Sequence, residues 1–487
     1  GGFAISLAVL VLMVSFVIEE ISVDKHLPHI KNMYRIKQSD QNARIPKRLH
    51  PAILNSAPEI VKLCLFLKSE TVYEYNNKKE FLKAVSANPE FLDVFSIEIL
   101  KGEKEGLLQS KTDLLITKSF AEKLFGDKHP IGEIIKFGNG EIKEVKAVIA
   151  DPQKTSSLKY DAIFNLEQEM FKTTRGYNDE TYFMQDAVFV LNANTDPVDV
   201  EKKIANLLKP FAGYEEIQLT VQPFREIYFD LKGGNDSYDH ANINMIKLLS
   251  WIALIILFLA VLNYINLITA LNNERYKEIC IRKTSGARDK TIFNQLVRES
   301  YFSCFVSLIL AIWIAIAISP IFKDLFNNEI NIFEALKTPQ ILLAVILIFL
   351  IVGGITGVIP AFLASKHKPV ELLQGKTILK NSNIRGTFNT VQLTVTLALI
   401  ICLIVINKQI EYVKTRDVGF NKELLLDLGL RGNAYNKALI IKEKLLKYPN
   451  ILNVSGSNGR PFGVYSWGSG TWNSNGVEYS IENLAHV

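Results

Sequence analysis

The sequence predicts an α-helical polytopic membrane protein with a large α+β extracytoplasmic domain. Three observations carry that expectation: five long uncharged apolar runs, a lysine and arginine excess confined to alternate connections between them, and a polar segment of mixed periodicity between the first two runs. In 487 residues, 48% hydrophobic and 22% charged, ordinary charge content coexists with a mean hydropathy of +0.14, so apolar and polar residues are separated into blocks. That composition excludes disordered, collagen-like and disulfide-scaffold chains. Four cysteines, Cys64, Cys280, Cys304 and Cys402, are too few for a disulfide framework at this length, and the topology below puts no two in one aqueous compartment. The net charge of +5 is modest, so no nucleic-acid partner is expected.

The uncharged runs cover 1–18, 248–273, 300–322, 338–365 and 386–407. Each is near or above the length that crosses a hydrocarbon core of about 30 Å. A single charge in mid-span would cost about 3 kcal/mol, and none is present. The first run lacks a basic leader and a small-residue cleavage site, so it reads as a membrane helix whose start is missing, not as a signal peptide. The ending ENLAHV closes no helix or strand pattern, so the C-terminus also reads as incomplete.

Orientation follows from the connections. Between 274 and 298, Arg275, Lys277, Arg282, Lys283, Arg288, Lys290 and Arg298 face only Glu274, Glu278 and Asp289, which makes 274–299 a cytoplasmic loop. The connection after the fourth run repeats the bias, with Lys366, Lys368, Lys376, Lys380 and Arg385 against Glu371. Residues 19–245 are then extracytoplasmic. They carry 30 basic and 35 acidic side chains, a net −5, which leaves +10 for the rest. The expected organisation is a helix at 1–18, an ectodomain at 19–245, a three-helix membrane domain at 246–385, a fifth helix at 386–410 and the start of a second ectodomain from 411.

Within the ectodomain, alternation in KEVKAVIAD (143–151) and QDAVFVLNA (185–193) predicts strands, and SFAEKLFG (119–126) predicts a short helix stopped by glycine. PVDVEKKIANLLKPF (197–211) predicts an amphipathic helix capped by Asp196. The segment Ala84–Ser96 echoes Leu445–Ser457, which suggests that a related unit recurs after 411.

No active site emerges. Gly375-Lys376-Thr377 is the one candidate phosphate loop, but Val370 stands where its first glycine belongs. Asp24, His26 and His29 read as a solvated loop, because Pro28 breaks any helix between them. Neither a nucleophile elbow nor a zincin motif occurs. No catalytic, cofactor or metal residue is therefore expected. Asn263 and Asn266, on one helical face inside the second run, serve either as interhelical glue or as part of a substrate pathway. Gly353 and Gly357, followed by Pro360, form a small-residue ridge for close helix approach, within the chain or in a dimer. The basic stretch ERYKEICIRKTSGARDK (274–290) reads as a helix supported by Glu278 and Arg282 at i, i+4 and stopped at Gly286, with Ile279 and Ile281 fitting it to dock a cytoplasmic partner.

These residues carry a resemblance. NYINLITALNNERYKEICIRKTSGARDKTIFNQLVRES (263–300) resembles the FtsX-like permease domain of ABC transporters in the MacB and LolC/E group. PAFLASKHKPVELLQGK (360–376) is similar to the end of that domain's third helix. EEISVDKHLPHIKNMYRI (19–36) and LLITKSFAEKLFGDKHPIG (114–132) resemble the MacB-like periplasmic core domain, and RDVGFNKELLLDL (416–428) the start of the second half in duplicated members. Cys280 and the pair Thr284-Ser285 depart from the pattern. The resemblance implies a permease subunit without ATPase activity of its own, in the inner (cytoplasmic) membrane. ATP would be bound by a separate cytoplasmic P-loop ATPase. Further implied partners are a second permease, in a homodimer or with a relative, and a periplasmic adaptor or outer-membrane component. Glu278, Arg282, Lys283, Gly286 and Ala287 would form the ATPase-coupling surface. Motion relayed to the ectodomain would drive efflux or extraction from the outer leaflet. An FtsX-type regulator of cell-wall hydrolases and a peptide-sensing receptor are the alternatives.

Overall fold

The computed structural model describes residues 2–485 except 39–41, 139, 167–184, 211–215, 233–235, 327–331, 367–375, 417–423, 427, 429–436, 456–466 and 475–476. Side chains at 267–280, 323–326, 360, 363–366, 376–385, 388 and 467–485 are also outside the description.

Five helices among the described residues are long and apolar enough to span a bilayer: α1 (Gly2–Ile21), α6 (Ile243–Thr284), α7 (Asp289–Phe326), α9 (Pro339–Lys366) and α10 (Lys376–Thr415). A short helix, α8 (Ile332–Lys337), precedes α9. The cytoplasmic connection 274–299, expected to be helical over 274–290 up to Gly286, is helical almost throughout. α6 runs 42 residues without a break, only 285–288 separate it from α7, and α7 begins at Asp289. The reason is physical: Glu, Arg and Lys are good helix formers, so the charge that ends a membrane span does not end a helix. In the same way the last helix extends beyond 386–410 at both ends.

Helix packing in the membrane part follows side-chain size. A Cβ on Gly353 would lie 2.6 Å from the Tyr301 ring, and one on Gly357 would lie 3.0 Å from Ser300 Cβ. The glycine ridge therefore seats α9 on α7 within one chain. Beside it, buried Thr356 and Ser300 share a hydrogen bond of 3.1 Å, and Tyr301 donates to the Leu350 carbonyl. By contrast, the membrane window of α10 is unburied, with Leu397, Ile401, Ile404 and Val405 all exposed.

The ectodomain is inserted between α1 and α6. Its strands are β1 (Met33–Lys37), β2 (Arg44–Ile45), β3 (Ile60–Tyr75), β4 (Lys78–Ala87), β5 (Ile99–Lys101), β6 (Asp113–Thr117), β7 (Ile134–Phe137), β8 (Ile142–Ile149), β9 (Ala162–Asn165), β10 (Gln185–Leu191) and β11 (Thr220–Pro223). They form one sheet in the order β11-β1-β10-β3-β4-β9-β6-β8-β5, with β2 on β10 and β7 bridging β3 and β8. The pairs β4–β9 and β6–β8 are parallel, which gives the mixed sheet that an α+β reading implies.

Both faces of the sheet centre are covered, so the alternation is apolar against apolar. Leu63, Leu65, Ala187 and Phe189 join the core beneath α2 (Leu49–Ser56) and α5 (Pro197–Ile204). Cys64, Phe66, Val188 and Val190 join a second core with α3 (Glu90–Val94) and Tyr238. α5 carries the expected Asp196 cap on the Val198 N–H, and its helix ends at Ile204, although Leu208 still buries. α4 (Lys118–Phe125) is capped by Thr117, not foreseen from the sequence, and stops at Gly126 with φ +60°.

The echo between Ala84–Ser96 and Leu445–Ser457 is not matched in local structure. The first passes from β4 into α3, whereas the second, as far as residue 455, leaves the short helix Ala438–Leu445 through turns into a segment without helix or strand. A different pairing is matched. After α2, Ala57-Pro58-Glu59-Ile60 closes a turn with Ile60 N–H on the Ala57 carbonyl. After Ala438–Leu445, Tyr448-Pro449-Asn450-Ile451 closes one with Ile451 N–H on the Tyr448 carbonyl, each at 3.0–3.1 Å. Proline presets φ for such a turn, so the helix–turn pattern repeats even though the longer sequence match does not.

The contact at Gly353 gives a direct test. Gly353→Leu has to displace the Tyr301 ring, and overpacking of that kind costs about 1–3 kcal/mol. The variant is expected to show a lower thermal unfolding midpoint in detergent than the native chain; an unchanged midpoint would contradict the α7–α9 contact.

Candidate functional site at the two ends of helix α6

α6 links the sheet domain to the far side of the membrane. At about 1.5 Å per residue, its 42 residues extend about 63 Å, roughly twice the hydrocarbon thickness.

The inner end is a tight helical hairpin. Gly286, at φ +93°, donates to the Lys283 carbonyl and Ala287 to the Arg282 carbonyl, a six-to-one and five-to-two pair that closes the helix on a left-handed glycine. Arg282 reaches Gln295 on α7 at 2.8 Å, and the Lys283 ammonium meets Asp289 at 2.6 Å, which also places a carboxylate at the start of α7. Ile281 is left 66% exposed beside this basic turn. Of the five residues assigned to the coupling surface, Arg282, Lys283, Gly286 and Ala287 converge here. The side chain of Glu278, like that of Ile279, lies outside the described residues.

The two membrane asparagines separate. Asn266 donates to Asn389 at 2.8 Å and contacts Gln392 at 3.4 Å, joining α6 to α10, while Asn263 is exposed. Gly353 and Gly357 lie in the α7–α9 contact. Pro360 is within α9, with its side chain outside the described residues.

The outer end was not anticipated from the sequence. Arg35 shares a sheet face with Met33 and lies opposite Val188, and Asp186, two residues along β10, shares that face. Apolar neighbours such as Phe66 and Val188 surround these two charges, and both residues are at most 2% exposed. They are met largely by the segment that enters α6, with one Asp186 oxygen left without a hydrogen-bond partner. Arg35 donates to Gln222 at 2.7 Å, Asp230 at 3.0 Å and Asp236 at 2.5 Å. Ser237 donates to Asp186 and accepts from the Lys68 N–H. Tyr238 packs edge-on against Phe66 and Phe224, and burial pushes its phenol well up. Asp239 pairs with Lys68 and its N–H donates to the Ser157 carbonyl. His240 lies between Asp236 Oδ1 at 2.8 Å and the Ile227 carbonyl at 2.9 Å. Two residues later Asn242 caps α6 through the Asn244 N–H.

α1 is tied to the same place. Tyr228 donates to Glu20 at 2.6 Å. Asp24, read as part of a solvated loop, is instead buried at φ +60° and accepts from the Ser157 N–H and hydroxyl. Burial raises its pKa, partly offset by those hydrogen bonds. His26 and His29 stay exposed, and among the described residues no three His, Cys, Asp or Glu converge as metal ligands.

The architecture defines a membrane permease-type protein whose helices carry an α+β extracytoplasmic domain between the first and second spans. A family model described as MacB-like periplasmic core domain matches residues 1–207, and one described as FtsX-like permease C-terminal matches 250–369. The chain belongs to the MacB/FtsX-like family of ABC transporter permeases. It is 24% identical over 328 residues to the macrolide export ATP-binding/permease protein MacB of Vibrio parahaemolyticus, covering 66% of this chain and 47% of that protein. Against the MacB of Psychrobacter arcticus it is 21% identical over 330 residues, 66% of this chain and 46% of the relative. The chain thus spans about half the length of the curated relatives it matches. The crystal structure of the periplasmic region of MacB from Actinobacillus actinomycetemcomitans aligns with 42% of this chain and 96% of its own, at 15% identity and a TM-score of 0.32.

The cluster at Arg35 predicts a large effect. Arg35→Met would leave the Asp230 and Asp236 carboxylates without their buried cation, a change that costs about 3–5 kcal/mol. Limited proteolysis should then cut between 224 and 242 much faster than in the native chain, whereas native resistance would refute the assignment.

Proposed function

We propose that this chain is a permease subunit that relays the ATP-driven motion of a separate P-loop ATPase across the inner membrane to its own ectodomain. The observation that carries this reading is the continuity of α6, whose inner turn presents basic residues and whose outer end is fastened to the sheet through four consecutive residues, Asp236–Asp239. A rigid helix held at both ends transmits tilt with little loss, because bending it would strain its i→i−4 hydrogen bonds. The spans are apolar and carry no row of charges that would line an aqueous route. Work is therefore done on a substrate already outside or in the outer leaflet. The relatives' printed names support efflux, with a macrolide-like amphipathic compound as the first cargo to test. The exposed face of α10 suits a second permease or a further part of the same assembly, and a periplasmic adaptor would receive the ectodomain's motion.

The experiment is co-expression with the cognate ATPase and measurement of cargo-stimulated ATP hydrolysis in proteoliposomes. Arg282→Glu should lower stimulation at least about tenfold, the equivalent of about 1.4 kcal/mol of coupling, without changing membrane insertion. Full stimulation in that variant would refute the reading.

A further inference from the structure

We propose that Asp236–His240 form a proton-operated strap, with His240 and Asp186 as its positioning residues, that holds the outer end of α6 tightly to the sheet in mildly acidic surroundings and slackens as the medium becomes alkaline. The proposal rests on the role assigned above to α6 and adds a regulation that the coupling reading does not require.

The geometry fixes two protonation states. His240 has an acceptor at each ring nitrogen, the Asp236 carboxylate at Nε2 and the Ile227 carbonyl at Nδ1, so both contacts are hydrogen bonds only when the ring is an imidazolium. Asp186 shows the opposite demand. One of its oxygens accepts from Ser237, the other is buried without a hydrogen-bond partner, and the nearest cationic atom is Arg44 Nε at 3.9 Å. A buried carboxylate so placed favours the neutral acid. Burial accordingly raises Asp186 to about 7, and its bond to Asp236 raises His240 above the ordinary imidazole value.

Both titrations act in the same direction. At mildly acidic pH, Arg35 and His240 carry two positive charges against Asp230 and Asp236, and the buried group is balanced. At alkaline pH, His240 becomes neutral and Asp186 becomes charged, leaving Arg35, with Arg44 3.9 Å from Asp186, against three carboxylates. The stabilisation from His240 is complete below its unfolded pKa and is lost as pH rises through the raised folded value. For Asp186, the folded form retains a proton that the unfolded chain loses above the usual carboxylate range, so a cost accumulates up to about pH 7 and persists above it.

The remaining charges facing the strap do not reverse this sign. They are Lys37 of β1, Arg44 of β2, Lys68 of β3, Asp239 within the strap, Lys159 and Asp24 near Ser157, and Glu20 of α1 through Tyr228. Asp24 is itself raised by burial, so it too favours the acidic side.

Hydrogen exchange on the whole chain in lipid nanodiscs tests the proposal. The N–H groups of Asp239 and Ala241 donate to Ser157 and Tyr228, both at 2.8 Å, and report strap opening. After correction for the intrinsic base-catalysed rate, their protection should fall about tenfold or more between about pH 6 and about pH 8.5. Asp186→Asn, which keeps the Ser237 hydrogen bond and cannot ionise, should flatten part of that slope, and His240→Gln the rest. A flat native profile would overturn the proposal, as would native slopes in both variants. The native profile alone decides if either variant fails to fold. No ATPase takes part in the measurement, so failure of the coupling reading and failure of the strap are distinguishable.

Discussion

The structure depends on one unbroken ladder of backbone hydrogen bonds, the one that runs through α6. Inside hydrocarbon a chain has no solvent to satisfy its amides, so the span has to be helical. What membrane physics does not require is that the helix continue for several turns beyond the bilayer. Here it does, because 267–284 contains Glu, Arg, Lys, Leu and Ala and no residue that stops a helix before Gly286. That extension turns a membrane anchor into an element that reaches well past the bilayer on one side and a folded domain on the other.

The two ends are held by different physics. At the inner end Arg282–Gln295 is an exposed hydrogen bond to a neutral amide, and in the ion pair Lys283–Asp289 the carboxylate is exposed to water and salt, which weaken it. The hairpin is shaped mainly by its glycine turn. At the outer end the charges are buried in an apolar face, where a missing partner is expensive. The strap is therefore specified by charge matching: Arg35 requires carboxylates at two distinct places, and only the segment entering α6 brings both Asp230 and Asp236.

The membrane half and the inner hairpin were legible in the sequence because their signals are local. Apolar run length, loop charge and a glycine after a basic helix each lie within a few turns of chain. Asp196, Gly126 and Gly286 likewise act on neighbours in sequence, and all three are found as helix caps or stops. The strap was not legible because its contacts are remote: Arg35 and Asp236 are separated by 201 residues, Asp24 and Ser157 by 133. A local signal did exist. Period two in MYRIK places Arg35 on the same side as Met33, a charge on a core face, and the run DSYDH sets two carboxylates and a histidine close before a membrane span. The echo is a similarity in letters between segments of different local structure, whereas the matched turns share little beyond proline and isoleucine.

A joint built from buried charge differs from one built from apolar packing in how it yields. Apolar contacts weaken gradually with separation, so a greasy joint creeps under load. A hydrogen-bonded ion cluster in a water-poor site resists until a partner is lost, and then its remaining charges favour hydration and pull the contact apart. Tyr238, packed between Phe66 and Phe224, supplies the apolar part and keeps water from Arg35 and Asp186. Lys68 contributes from the next strand both its N–H, to Ser237, and its ammonium, to Asp239, so the register of β3 also fixes the strap. The strap is thereby attached to the centre of the sheet rather than its edge, because β1, β10 and β3 are successive strands within it. That placement is what a rigid-body response of the ectodomain requires: force applied to an edge strand would peel the sheet, whereas force shared by three adjacent interior strands moves it as a unit.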